Sequence, residues 1–466
     1  TMSNERKPVS SKRRLGRNAE IARLGAKVGA TYASTAARKL FASAERKQEL
    51  NHERELKTAA EIADRLGNMK GALMKLGQMA SYLDNGLPEP LRLALAELQN
   101  NAPPMSGELA REVVESEFGK PISELFVTFD DTPIASASIG QVHRAIIIDP
   151  TTHEQRAVAV KVQYPGVADA IASDLKNADL LGAIIAFGFK AFEPDEMVAE
   201  IKERLTEELD YTREARNQHE FADFYAGHPF INVPNVIAHL SSARVLTTDL
   251  VTGSNWAELM AAPQHVRDRA AEVIFRYVFR SLYRFRAFNG DPHPGNYVFH
   301  LDDPENVRIS FLDYGLVKHF TQDEMIVFQN MISAAAINHD TSAFRTIIED
   351  AGLLRSDAPV TTDDVGDYFS HFYAPVSESH IMNWTPEYSS SIVRHTFDRT
   401  SPIANYASVP RAFVFIQRIN LGLYALLGEL RASGNYRRIA EELWPMVNAG
   451  PSTPLGEAEA RWLALR

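Results

Sequence analysis

Gly290-Asp291-Pro292-His293-Pro294-Gly295-Asn296 concentrates residues that can do chemistry. Two prolines and two glycines fix a loop, and Asp291 and Asn296 stand five apart. Phosphoryl transfer uses this spacing: the Asp orients the attacking hydroxyl and the Asn binds magnesium. Between two prolines, His293 suits loop positioning better than metal ligation. Downstream, Ile309-Ser310-Phe311-Leu312 has the character of a buried strand and delivers Asp313-Tyr314-Gly315. A carboxylate there, ahead of an aromatic and a glycine, suits a second magnesium ligand. Upstream, Ala157-Val158-Ala159-Val160-Lys161 puts a lysine in a strand, where it could hold the α- and β-phosphates of ATP. A strand lysine alone is also what an exposed edge carries. Its orienting carboxylate would come from Glu207-Glu208-Leu209-Asp210-Tyr211-Thr212-Arg213-Glu214. A helix there sets Glu207, Asp210 and Glu214 near one face with Glu208 beside them, although a merely solvated acidic face has the same pattern.

These groups need elements to position them. Ile62, Leu66, Met69, Leu73, Leu76, Ala80 and Leu83 recur at spacings of four and three, which predicts a long amphipathic helix over 55–84. A second helix is expected from about 106 to 118, stopped by Gly119 and Pro121. Short strands follow at 125–129, 141–148 and 157–163, then helices at about 167–190 and 195–224 and a strand pair within 232–250. Beyond 255 the pattern is almost all helical, broken by strands near 297–300 and 308–312. Thr321 with Glu324 forms a capping box. The order is helical extension, small β-rich lobe, large helical lobe. Ahead of Lys161, where a glycine-rich hairpin would cover the phosphates, the chain has Ala135, Ser136, Ala137 and Ser138 before its single Gly140. A Cβ at the Ala positions restricts φ and pushes the backbone back from a phosphate.

Composition narrows the field. The chain has 466 residues, 45% of them hydrophobic, which excludes a disordered or collagen-like protein and suggests about two or three units. With no cysteine there is no disulfide framework, thiolate zinc site, iron–sulfur cluster or cysteine nucleophile. The net charge is −11, yet residues 1–40 hold ten Lys or Arg against two Glu, so the remainder is about −19. A basic start is either a solvated tail or a contact with anionic membrane, and the acidic body argues against nucleic acid as main partner. No segment reaches the ~18 apolar residues of a membrane span, and no apolar stretch follows the basic start, so neither a span nor a signal peptide is expected.

Taken together the motifs resemble one family. Ala-Ser-Ala-Ser-Ile-Gly-Gln-Val-His from Ala135, Val-Ala-Val-Lys-Val-Gln around Lys161, Glu-Leu-Asp-Tyr-x-x-Glu-Ala from Glu208, Asp-Pro-His-Pro-Gly-Asn from Asp291 and Leu-Asp-Tyr-Gly at Asp313 look like those of the UbiB/ADCK (aarF-domain) atypical kinases. Lys75-Leu76-Gly77-Gln78-Met79-Ala80-Ser81 matches that family's Lys-x-Gly-Gln-x-x-Ser signature, and the resemblance spans about 60 to 430. It implies an α+β, protein-kinase-like bilobal fold with an added N-terminal helical extension. The expected division is a basic tail at 1–50, the extension at 51–120, an N-lobe at 121–252 and a C-lobe at 253–466. By matched position Lys161 is the phosphate lysine and Glu214 its partner, Asp291 the catalytic-loop Asp, and Asn296 and Asp313 the metal ligands. Ala135, Ser136, Ala137 and Ser138 cover the phosphates, and Thr248 and Asp249 begin the adenine hinge. Glu208 and Asp210 are expected to meet Lys75, with Gln78, in a regulatory contact.

The resemblance further implies ATP and Mg2+ as cofactors and a role in isoprenoid-quinone or related lipid biosynthesis. A lipid or quinone-precursor ligand and a cytoplasmic place, peripheral on a membrane through the basic start, belong to the same expectation. The chain departs from the family at Ser136, often Ala, and at Asn289-Gly290, where many members have His-Ala. A membrane-spanning tail like that of some relatives is not expected, so membrane attachment through one is not part of what the resemblance implies. Two other functions fit the nucleotide ligands: a nucleotide-gated lipid-binding or scaffold protein, and a small-molecule phosphotransferase. Lys75-Leu76-Gly77-Gln78 speaks against the latter.

Overall fold

The computed structural model describes residues 105–466 except 138, 169–198, 200–205, 208, 291–292, 397, 399 and 408–410; for 411–415 and 418 it describes the backbone alone. The basic tail, the segment 55–84 expected to be helical with Lys75 and Gln78, and Ser138, Glu208 and Asp291 lie outside the described residues. The chain divides into two compact units, 1–212 with 237–247 and 213–236 with 248–466.

In the first unit, helix α1 (Gly107–Phe118) starts where Ser106 accepts a hydrogen bond from the Leu109 amide, and stops at Gly119 with φ 63°. A short turn of helix, α2 (Ile122–Leu125), precedes strands β1 (Thr128–Ser136), β2 (Gly140–Ile148) and β3 (Gln155–Gln163). The strand expected at 125–129 is thus displaced: Pro121 opens a helical turn, and the strand instead runs on to Ser136 with register shifts around Pro133. Helix α3 (Tyr211–Phe224), from Arg213 on, and β4 (Ile231–Asn232) belong to the second unit; β5 (Val245–Asp249) joins the sheet of the first, whose order is β1-β2-β3-β5. Val158, Val160 and Val162 are wholly buried on one face of β3 and pack in one cluster with Ala110, Val113 and Val114 of α1. That alternation leaves Lys161 on the opposite face.

The second unit is mainly helical. It contains α4 (Trp256–Ala261), α5 (Gln264–Phe285), β6 (Ala287–Asn289), β7 (Tyr297–His300), β8 (Arg308–Phe311), β9 (Val317–His319), α6 (Gln322–Ile332), α7 (Thr341–Asp350) and α8 (Thr362–Ser377). Helices α9 (Pro386–Thr396), α10 (Arg411–Leu430), α11 (Tyr436–Leu443) and α12 (Pro454–Leu463) complete it. The Thr321–Glu324 capping box opens α6. From Ala270 to Val278 every residue of α5 is buried, the ion-paired Glu272 and Arg276 among them, so this helix is surrounded by the rest of the unit and forms its axis. Two small sheets, β4-β8-β7 and β6-β9, frame the candidate chemistry. Among the described residues no helix is long and apolar enough to cross a membrane.

The first unit also holds a buried polar network that hydrophobic patterning did not reveal. Gln141 is fully buried; its Oε1 accepts from the Met105 amide at 2.9 Å and its Nε2 donates to the Met105 carbonyl at 3.0 Å. The His143 ring, also fully buried, lies 2.9 Å from Gln141 Nε2 and places Nδ1 2.7 Å from the Asp130 carbonyl. The tautomer that satisfies both contacts is neutral, with Nδ1–H donating and Nε2 accepting. Burial depresses the His143 pKa; the Asp130 carbonyl opposes this without reversing it. The unfolded chain therefore takes the proton first, and stability is lost as pH falls through about 6.5. An NMR titration of the His143 ring is expected to give a midpoint below that value, with a falling thermal midpoint over the same range. A ring midpoint above it would mean that the network holds a charged imidazole.

Candidate functional site

In the second unit the loop bearing Asp291 is pinned at both ends to the segment bearing Asp313. Ahead of it, Gly290 N donates to Leu316 O at 2.8 Å, and β6 pairs with β9 from Ala287/His319 to Asn289/Val317. Behind it, Leu312 N donates to Asn296 O at 2.8 Å, and Tyr297 pairs with Phe311. His293 Nδ1 accepts from Gly295 N at 3.0 Å, which is the loop-positioning role its setting between prolines suggested. Asn289, where many relatives have His, is buried and donates to the Asp313 carbonyl at 2.8 Å. The departure at Asn289 therefore comes with its own tie between the two segments.

Asp313 adopts φ +63°, and its Oδ1 accepts from Gly315 N at 3.0 Å. Aspartate tolerates this left-handed region because its short side chain bonds the local backbone. A Cβ at Gly315 would stand 3.2 Å from Asp313 Oδ1 and 3.8 Å from Glu214 Oε2, so two carboxylates flank that glycine. Glu214 is buried in the first turn of α3. The same helix fixes Tyr314: Asn217 Nδ2 donates to Tyr314 O at 2.9 Å, and the Phe221 ring lies 4.9 Å from the Tyr314 ring. The Tyr277 hydroxyl donates to the Tyr314 hydroxyl at 3.0 Å in the core. The structure thus brings Asn296, Asp313 and Glu214 together through Tyr314, Gly315 and Leu312.

The acidic segment differs from its expected form. Residues 206 and 207 are helical, 209 is a turn, and a new helix starts at Tyr211. Asp210 Oδ1 accepts from Thr212 N at 3.0 Å and from Thr212 Oγ1 at 2.6 Å, so it caps α3. Glu207, Asp210 and Glu214 do not share one continuous helix face. The physical reason is twofold: the Asp side chain competes for a backbone N–H, and Gln163 Nε2 takes the Leu209 carbonyl at 3.0 Å.

In the first unit Lys161 pairs in register with Val142, and its Nζ lies 4.9 Å from the Tyr211 ring centroid. The hairpin ahead of Lys161 is tight: Ala137 N donates to Gly140 O at 2.9 Å, and Ala135 and Ser136 pair with Val142 and Gln141. Ala135 and Ser136 are exposed. A Cβ at Gly140 would collide with the Val162 carbonyl, which is why glycine stands there. Thr248 and Asp249 end β5 in the second unit. Asp249 Oδ2 accepts from Asn235 N at 3.1 Å and Asn235 Nδ2 at 3.0 Å, and Thr248 Oγ1 donates to Asp249 O at 3.4 Å.

The donor chemistry fits a hard divalent cation. Asp313 and Asn296 offer carboxylate and amide oxygens, and magnesium is commonly held by one or two carboxylates together with substrate phosphates.

A bilobal α+β fold, with a small sheet unit and a helical unit holding these paired segments, defines a kinase-like protein. The model of the ABC1 atypical kinase-like domain matches residues 97–348, more than half of the chain, which therefore belongs to that family. The atypical kinase coq-8, mitochondrial, of Caenorhabditis elegans is 34% identical over 344 residues, covering 72% of this chain and 44% of that protein. The probable protein kinase UbiB of Aliivibrio fischeri is 30% identical over 297 residues, covering 62% of this chain and 53% of that one. The chain thus spans about half the length of these curated relatives. The solved Rv3197–erythromycin complex from Mycobacterium tuberculosis superposes with a TM-score of 0.60 at 30% identity, covering 86% of this chain and 98% of that one.

Proposed function

We propose that the chain is an ATP- and magnesium-dependent atypical kinase or ATPase that supports isoprenoid-quinone or related lipid biosynthesis. The observation that carries this reading is the pinning of the loop from Gly290 to Asn296, at both ends, to the segment that delivers Asp313. In this reading Asp291 orients an acceptor hydroxyl or water and takes its proton as the oxygen attacks the γ-phosphorus. The bond from that phosphorus to the β-phosphate oxygen breaks, and ADP leaves. Lys161 holds the α- and β-phosphates, and Glu214 orients its ammonium. Asn296 and Asp313 would hold magnesium, which supplies neutralisation of charge on the β- and γ-oxygens when bound. Ala135, Ser136, Ala137 and Ser138 cover the phosphates, with the Ser136 hydroxyl as an added donor. Thr248 and Asp249 begin the adenine hinge, where Asn235 holds the Asp249 side chain. Lys75 and Gln78 on the extension would meet Glu208 and Asp210; one Asp210 oxygen already caps α3.

Alanine in the covering hairpin favours a second reading, because its Cβ holds the backbone off the phosphates: nucleotide gating of a lipid-binding or scaffold protein, with little turnover. A place in the cytoplasm, or peripheral on an anionic membrane through the basic residues 1–40, accompanies both readings. The test is ATP hydrolysis with magnesium, with and without anionic liposomes and a quinone-precursor analogue, in wild type and Lys161→Ala. We expect turnover that responds to the additions and falls by about 10²-fold or more in the variant. Nucleotide binding without turnover under any condition would favour the second reading, and equal turnover in Lys161→Ala would remove the phosphate-lysine role.

A further inference from the structure

Helices α5, α6, α8, α10 and α11 of the second unit enclose a cavity of about 70 Å³, walled by residues that include Phe279, Phe328, Tyr373, Asn420, Ala440 and Trp444. Half of its sixteen wall residues are aromatic and none is charged, which excludes phosphates, carboxylates and metal ions as its guest. Two of the walls depart from regular helix at this place. Helix α6 passes at Ile332 into a π-helical turn, Ser333–Ile337. Pro375 lies inside α8, beside Tyr373 and Val376, and supplies no N–H to the preceding turn. Such departures cost helix stability, and π-turns recur at functional sites.

The polar groups in the wall are few. The Tyr424 hydroxyl donates to the Phe372 carbonyl at 3.1 Å and is satisfied. Among the described residues, the Tyr373 hydroxyl and the Asn420 amide have no hydrogen-bond partner, yet neither is a sealed polar atom. Both therefore face space that a guest or water can occupy. Phe279, Phe372 and Asn420 are half-buried, so one side of the cavity reaches the surface.

We propose that this cavity binds the end of a slim, uncharged, apolar molecule carrying one hydrogen-bonding oxygen, such as the alcohol, ketone or ester end of a neutral lipid. The chain packs among the aromatic side chains, and its oxygen accepts from the Tyr373 hydroxyl and the Asn420 amide. Size sets the shape of the guest. The cavity is about half the volume of an engineered one that admits benzene, so a single chain enters and a fused ring system does not. The site does not depend on phosphoryl transfer, and its test contains no nucleotide.

Decanol bearing a terminal bromine is the probe, and quenching of Trp444 fluorescence is the readout. Saturable quenching that disappears in Trp444→Phe is expected. Ala440→Leu, which fills the cavity, should weaken binding at least tenfold. Asn420→Leu combined with Tyr373→Phe should weaken bromodecanol several-fold and leave bromodecane unchanged. Brominated decanoate should bind at least tenfold more weakly than the alcohol, because no cation lines the site. Quenching that never saturates, or that is equal in wild type and Ala440→Leu, overturns the proposal. Should Ala440→Leu fail to fold, identical affinities of wild type and the double variant for the alcohol overturn it equally.

Discussion

Asp313→Asn is expected to abolish magnesium-dependent nucleotide binding while leaving the fold intact. The fold tolerates the change because asparagine also adopts the left-handed backbone that position 313 requires, with φ +63°. Its amide oxygen can still accept from Gly315 N, as Asp313 Oδ1 does at 3.0 Å. The backbone tie from Asn289 to the carbonyl of residue 313 does not involve the side chain. What changes is charge: a carboxylate is a full-charge hard ligand, and an amide is not. Ligand present at about 100 times its Kd stabilises a protein by about 2.7 kcal/mol. Thermal unfolding with and without Mg-ATP should show that stabilisation in the wild type and nearly none in the variant. An unchanged Mg-ATP shift would sink the metal assignment of Asp313.

How far the sequence disclosed this arrangement depends on how local the cause is. The strand before Asp313, the alternation of Val158, Val160 and Val162 and the Thr321–Glu324 cap were legible because each is a short-range pattern. The segment from Glu207 to Glu214 departs from its local pattern for the same reason. Its acidic residues have helical spacing, but Asp210 bonds Thr212 and stops the helix pattern. The Leu209 carbonyl meets Gln163, forty-six residues upstream, which no window of local sequence contains.

Gln141 and His143 belong to the Ala-Ser-Ala-Ser-Ile-Gly-Gln-Val-His motif, and both are fully buried, which residue type alone does not predict. The signal was present: they share the inward face of β2 with Ala145 and Ile147 at intervals of two. Two polar residues in an inward row call for buried partners. The partners themselves, Met105 and the Asp130 carbonyl, come from outside the strand. Asn289 shows the opposite case. As a departure from the family's His it gave no hint of its role until the Asp313 carbonyl was found 2.8 Å away.

Glu459→Ala should unfold the second unit more readily than any surface change. Glu459 is 1% exposed on α12 and binds back to the central helix α5. It accepts from Arg276 Nη1 at 2.9 Å and from Arg280 Nε and Nη2, each at 3.1 Å, and lies 3.4 Å from His228 Nε2. Arg276, wholly buried, also pairs with Glu272 at 2.7 Å and Glu442 at 2.9 Å. Removing Glu459 leaves Arg276 two carboxylates but leaves Arg280 none among the described residues. Breaking a buried pair in this way costs about 3–5 kcal/mol, because a charge stays buried without its partner. Glu459→Gln keeps the volume and an acceptor oxygen, so it should cost less. The pH dependence follows from the same contacts. Burial alone would push the Glu459 carboxyl up, but His228, Arg280 and Arg276 outweigh it and hold it far below the usual carboxylate range. This contribution is therefore complete above the ordinary carboxylate pKa of about 4.3 and is lost as pH falls toward the folded value. Urea unfolding at pH 7, followed through Trp462 on the same helix, measures the loss. A cost below about 1 kcal/mol for Glu459→Ala would mean that desolvation already cancels the attraction in the native state.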